Sequence, residues 1–162
     1  MPVILSVVGP KNSGKTSIIE QLIPVLKSKM YRVATAKHTA HEHLFDREGS
    51  DSWRQGQAGA EQVGLFSPGQ VVTFDYTAED TDAAFKSWLA SIRERCDVVL
   101  VEGLRHSAYP KLQLHGEGED DYDVDEPVLF RLTPMCNEGQ KPKLMLEDLD
   151  KVLGYVEKVL KE

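Results

Sequence analysis

Residues 9–16 read Gly9-Pro10-Lys11-Asn12-Ser13-Gly14-Lys15-Thr16, a complete G-x-x-x-x-G-K-[ST] pattern. It stands directly after the apolar run Val3-Ile4-Leu5-Ser6-Val7-Val8 and directly before an amphipathic stretch. A strand, this turn and a helix in that order make a phosphate-binding loop. Backbone N–H groups turn inward around an anion, and the helix start adds the positive end of its dipole. Lys15 reaches the β- and γ-phosphates, and the Thr16 hydroxyl sits on Mg²⁺. The expected ligand is a nucleoside triphosphate, held by Gly9, Lys11, Asn12, Ser13, Gly14, Lys15, Thr16 and Ser17. The bland alternative is a glycine-rich turn that never meets phosphate. The flanking strand and helix and the Lys-Thr pair argue against it. Lys11 is third in the loop, so this is not the variant form with a second lysine straight after its first glycine.

Outward from this loop, strand-like and helix-like segments alternate, as in βαβ units. Apolar Ile18, Ile19, Leu22, Ile23, Val25 and Leu26 predict a helix over about 15–30, with Pro24 inside it. Arg32 to Lys37 reads as a second strand. A polar stretch runs from His38 to Ser50, and a helix is expected over about 52–60 with Ser50 or Asp51 as its N-cap. Two short strands, 63–66 and 70–74, are joined at Ser67-Pro68-Gly69. Further helices are expected over 79–95 and 147–160, and further strands at 111–115 and 127–132. The implied fold class is α/β, a three-layer fold of the P-loop NTPase type with a mainly parallel twisted sheet flanked by helices. At 162 residues it reads as a single nucleotide-binding domain.

Asp97-Val98-Val99-Leu100-Val101-Glu102-Gly103 is the second informative segment. A continuous apolar run without alternation marks a strand buried on both faces. In a parallel sheet, ligands gather at the C-terminal ends of the strands. Glu102 is at that end; Asp97 is about 16 Å away at the other. Glu102 is therefore the expected Walker-B-type acid, with Lys15 its catalytic partner, set against the alternative of a solvated acid at a strand terminus. Asp46 and Asp51 join Thr16 and Glu102 as candidate Mg²⁺ ligands, since carboxylates suit that ion. His38, His41 and His43 cluster past the second strand. Their separations are not those of a structural zinc site, so they read as anion or substrate contacts, or as incidental surface residues.

Charge and cysteines narrow the class. Nineteen Lys plus Arg against twenty-six Asp plus Glu give a net charge of -7, which opposes nucleic acid and anionic membranes as partners. Cys96 and Cys136 have no C-x-x-C spacing and read as core residues in a reducing, cytoplasmic setting. No signal peptide and no run near the roughly 20 residues of a membrane span is visible. The acid-dense loop 116–126 reads as a solvated loop rather than a calcium site.

Several blocks together resemble a known family. Lys37-His38-Thr39, His41, Asp46, Gly49-Ser50-Asp51-Ser52 and Ala58-Gly59-Ala60 are similar to the corresponding segment of molybdopterin-guanine dinucleotide biosynthesis protein B (MobB). So are Val98 to Gly103 with Leu104, Arg105 and His106, and Tyr109-Pro110-Lys111-Leu112. The resemblance covers residues 1 to about 135. It implies a GTP-binding, weakly hydrolysing homodimer that assists a nucleotidyltransferase (MobA-like) in attaching GMP to molybdopterin. It also implies substrate contacts from His38, His41 and Arg105. The alternative of a different class is a small-molecule kinase moving a γ-phosphoryl group onto a hydroxyl near 38–51. Such kinases carry an arginine-bearing lid, which is not obvious here. No clear arginine finger or catalytic glutamine is visible either, although Arg47, Arg54 and Arg105 are candidates. Without an N-K-x-D run, guanine and adenine are not distinguished.

Overall fold

The computed structural model describes residues 1–39, 44–115, 122–135 and 141–162. His41, His43, the acids of 117–121, Cys136 and Asn137 lie outside the described residues.

The elements in chain order are β1 (Val3–Val8), α1 (Lys15–Ser28), β2 (Val33–Lys37), α2 (Asp51–Gln57), β3 (Gln62–Ser67), β4 (Gln70–Asp75), α3 (Thr81–Ile92), β5 (Val98–Glu102), β6 (Lys111–Leu114), β7 (Val128–Leu132) and α4 (Leu146–Lys161). The chain forms two compact units, one of Met1–Thr39 with Leu89–Glu162 and one of Ala40–Trp88.

In the first unit the strands β2-β5-β1-β6-β7 make one sheet, and every neighbouring pair in it is parallel. The apolar runs predict this. A central strand covered on both faces needs no polar alternation, and Val98, Val99, Leu100 and Val101 are fully buried. Alternate residues on β1, β5 and β6 (Leu5 and Val7, Val98 and Leu100, Leu112 and Leu114) pack with Ile18, Leu22 and Leu26 of α1 and Val152 and Val156 of α4 in one core. The opposite residues of the same strands include Ser6, Lys111 and Gln113, all buried. Pro24 sits inside α1 without ending it; the residues around it, Leu22 and Leu26, are held by the core, which outweighs one lost backbone bond.

Lys111 is fully buried at the start of β6 and donates from Nζ to the carbonyl oxygens of Ser107 and Tyr109. Burial pushes its ammonium below the ordinary lysine value, and the charges of Asp125 and Glu126 act in the opposite sense. Its apolar stem fills space beside the sheet while its head satisfies carbonyls of the loop that follows β5.

In the second unit, β3 and β4 form a separate antiparallel hairpin in register from Gln62↔Asp75 to Ser67↔Gln70. Ser50 is the N-cap of α2, accepting from the Trp53 N–H at 3.1 Å, and Asp51 is the first helical residue. Of the two residues expected to cap, the hydroxyl takes the role and the carboxylate takes the favourable first-turn position. No helix among the described residues is long and apolar enough to cross a membrane.

The N-terminal edge of the sheet is closed by a clasp. Arg32 donates through Nε and Nη2 to the two oxygens of Asp97 at 3.1 and 2.8 Å, its backbone N–H reaches the same carboxylate at 2.7 Å, and its Nη1 donates to the Glu94 carbonyl. Hydrogen bonds from Arg32 hold the Asp97 carboxyl below its ordinary value. The stability it adds is therefore present above the unfolded value near pH 4 and is lost as pH falls through the lower folded value. Asp97→Asn should reduce stability to urea at pH 7, and the gap between variant and wild type should close below about pH 4. A gap that stays constant into acid would show that the carboxylate charge is not what ties β2 to β5.

Candidate functional site

The phosphate loop leaves the C-terminal end of β1, and its conformation follows from its residue types. Gly14 has φ 86° and Asn12 has φ 66°, the left-handed region that glycine enters freely and asparagine tolerates. A Cβ on Gly14 would also lie 2.7 Å from the Pro142 ring, so the position excludes side chains twice over. Gly14 is the N-cap of α1; it offers no side-chain bond to the first turn, and no acid stands in that turn. Neither a capping side chain nor an acid of the first turn thus occupies the first N–H groups of the helix, which is the condition for anion binding there. Ser13 Oγ is buried within the loop with no hydrogen-bond partner among the described residues.

Lys15 Nζ donates to the carbonyls of Gly9, at 3.0 Å, and Pro10. Burial lowers its pKa, the positive Lys37 adds to the lowering, and Glu102 works against it. Thr16 Oγ1 donates to Glu102 Oε2 at 2.8 Å. Glu102 ends β5 in register with Val7 on β1 and Lys37 on β2. Its other oxygen, Oε1, pairs with Lys37 Nζ at 3.3 Å. The sheet polarity inferred from the apolar run is thus correct: Glu102 stands beside the phosphate loop, and Asp97 is engaged with Arg32 at the far edge.

Thr16 and Glu102 supply hard oxygen donors side by side, the set Mg²⁺ takes when phosphate oxygens and water complete its shell. No group of three or more His, Cys, Asp or Glu residues that could hold a metal ion by itself occurs among the described residues. An ion held by one carboxylate, one hydroxyl and its nucleotide needs none.

Beyond β5 the chain turns sharply at Gly103, φ 113°, and Leu104, φ 62°. The Gly103 N–H bonds Val7 O, and the His38 N–H bonds Glu102 O. A Cβ on Gly103 would fall 2.3 Å from His38 O, so the two chain exits from β2 and β5 touch through a position that only glycine can occupy. Arg105 lies over the Tyr122 ring at 5.6 Å, and His106 faces Asp125 at 3.3 Å.

In the second unit, Asp46 is buried and accepts from Ser50 Oγ at 2.9 Å, Ser52 Oγ at 3.1 Å and Tyr76 OH at 3.4 Å. Its oxygens serve two hydroxyls of its own segment and the phenol of Tyr76 just past β4. Asp51 is exposed at the start of α2.

Two features lay outside the sequence reading. Lys37 was visible only as part of a motif, although the strands 33–37 and 98–102 each close on a charged residue of opposite sign. The segment after β7 is the other. Gln21 of α1 donates to Pro142 O at 2.8 Å and accepts from the Leu144 N–H at 3.1 Å, and Lys141 pairs with Glu20 at 2.8 Å. No periodicity announces that contact.

The chain matches the family model for molybdopterin guanine dinucleotide synthesis protein B over residues 4–129. It belongs to the MobB family. The molybdopterin-guanine dinucleotide biosynthesis adapter protein of Haemophilus influenzae is 32% identical over 95% of this chain and 87% of its own length. The Escherichia coli adapter protein is 32% identical over 65% of this chain and 61% of its own. The crystal structure of Bacillus subtilis MobB superposes with a TM-score of 0.69, covering 95% of this chain and 97% of the other at 22% identity, and so shares the fold.

Gly103→Ala should cost about 2 kcal/mol or more, from the disfavoured backbone and the contact with His38 O. Thermal unfolding measures it. A fully stable alanine variant would mean that the two exits are not in contact.

Proposed function

We propose that this protein is an accessory nucleotide-binding protein of molybdopterin guanine dinucleotide synthesis. It binds GTP with Mg²⁺ at the phosphate loop, hydrolyses it slowly, and assists a MobA-like nucleotidyltransferase that attaches GMP to molybdopterin. The observation that carries this reading is the Thr16–Glu102 contact at 2.8 Å beside Lys15, in a chain of the MobB family.

In this reading the backbone of Gly9 to Thr16 and the first turn of α1 bind the phosphates. Lys15 exchanges the Gly9 and Pro10 carbonyls for β/γ-phosphate oxygens, and Lys11, Asn12, Ser13 and Ser17 complete the cradle. Thr16 and Glu102 would hold Mg²⁺, which supplies charge neutralisation at the phosphates when bound. Glu102 orients the surrounding water. His38 and Arg105 face the pterin substrate from the exits of β2 and β5. Asp46 and Asp51 organise the fold of the second unit. Slow turnover fits Arg105 being placed on Tyr122. Working as a homodimer fits the hairpin, which exposes Leu65, Phe66 and Val71 and is too small to be stable by itself.

The direct test is thermal unfolding with Mg²⁺ and either GTP or ATP. A bound nucleotide at 100 times its Kd adds about 2.7 kcal/mol, and GTP is the nucleotide expected to do so. Lys15→Ala should weaken GTP by about 2 kcal/mol or more while the fold survives. Unchanged affinity would place the site elsewhere. Glu102→Gln should lower hydrolysis and the Mg²⁺ dependence of binding but leave metal-free binding nearly unchanged. Phosphoryl transfer to a small hydroxyl acceptor, absent without it, would instead identify a kinase.

A further inference from the structure

Lys37 ends β2 in register with Glu102, and Glu102 is in register with Val7, two residues before the phosphate loop begins. Its Nζ lies 3.3 Å from Glu102 Oε1, while the other oxygen of that carboxylate accepts from Thr16. One carboxylate thus joins a residue of the loop to a cation two strands away. The partners differ in freedom: the Lys37 side chain is 58% exposed and that of Glu102 is 15% exposed. The lysine, with three donors on a flexible stem, is the member that can move. Lys15, bonded to the Gly9 and Pro10 carbonyls, and Lys37, paired with Glu102, thus stand at the sheet edge where phosphates would arrive. An additional anion relieves their mutual repulsion.

We propose that Lys37 is a second phosphate lysine, which leaves Glu102 to bind the terminal phosphate of the triphosphate and so distinguishes it from the diphosphate. This rests on the phosphate-loop reading above. It supplies from within the chain the charge that an arginine would otherwise bring to the γ-phosphate. The move also frees Glu102 Oε1, so terminal-phosphate recognition and the availability of the acid are coupled through one side chain.

The test compares GTP and GDP dissociation constants, by calorimetric titration with and without Mg²⁺, for wild type, Lys37→Met and Lys37→Arg. Lys37→Met should weaken GTP at least tenfold and GDP less than twofold, with and without the metal. Lys37→Arg should recover most of the GTP affinity, since it keeps the charge. The thermal midpoint without nucleotide reports on folding of each variant. An equal loss for GTP and GDP would overturn the proposal and leave Lys37 as a prop for Glu102. No loss for either would overturn it as well. Should Lys37→Met be poorly folded, Lys37→Arg against Lys37→Gln decides on the same GTP-to-GDP ratio. A wild-type protein that binds neither nucleotide would remove the phosphate-loop reading itself, an outcome distinct from both.

Discussion

The carboxylate of Glu102 is the point on which the arrangement of this sheet edge depends. It accepts from Thr16 at the start of α1, pairs with Lys37 at the end of β2, and its backbone carbonyl accepts from His38. Two separate chain segments, the start of α1 and the exit of β2, are thereby tied to the last residue of one strand. Glu102 can do this because β5 lies between β2 and β1 in the sheet. Any other strand order would place the acid beside only one of them. The buried valines and leucine behind it lock the register, so a slip by one residue would turn core residues toward the wrong layer.

Much of the sheet was legible in the sequence because its strands are continuous apolar runs and its helices carry a clear 3.6 period. The polarity of β5 followed from a single placement, an acid at the end shared with the phosphate loop. Ser50 and Asp51 were indistinguishable as caps from composition, because both residue types cap well; the hydrogen bond to Trp53 separates them. The hairpin strands were readable from Ser67-Pro68-Gly69, but their separation from the main sheet was not. Strand propensity says nothing about which edge a strand joins. Asp46 illustrates the same limit for the site. It is a candidate Mg²⁺ ligand in the sequence because carboxylates suit that ion, and the structure adds that its oxygens accept from the hydroxyls of Ser50, Ser52 and Tyr76.

The two edges of the parallel sheet divide the work. At the N-terminal edge Arg32 and Asp97 form a closed, multiply bonded pair that spends its charge on holding strands together. At the C-terminal edge Lys15 donates to backbone carbonyls, while Glu102 accepts from a hydroxyl and pairs with Lys37. A fold built from βαβ units concentrates exchangeable polar groups at one edge because strand ends there meet helix starts.

The segment after β7 has its two feet clamped together. Met135 and Lys143 exchange backbone bonds at 2.8 and 3.0 Å, and Gln21 fastens the returning chain to α1 through Pro142 and Leu144. The same clamp sets Pro142 against Gly14, within the phosphate loop. The turn into α1 is thus braced from outside by a chain end that is itself fastened at Met135, Gln21 and Leu144.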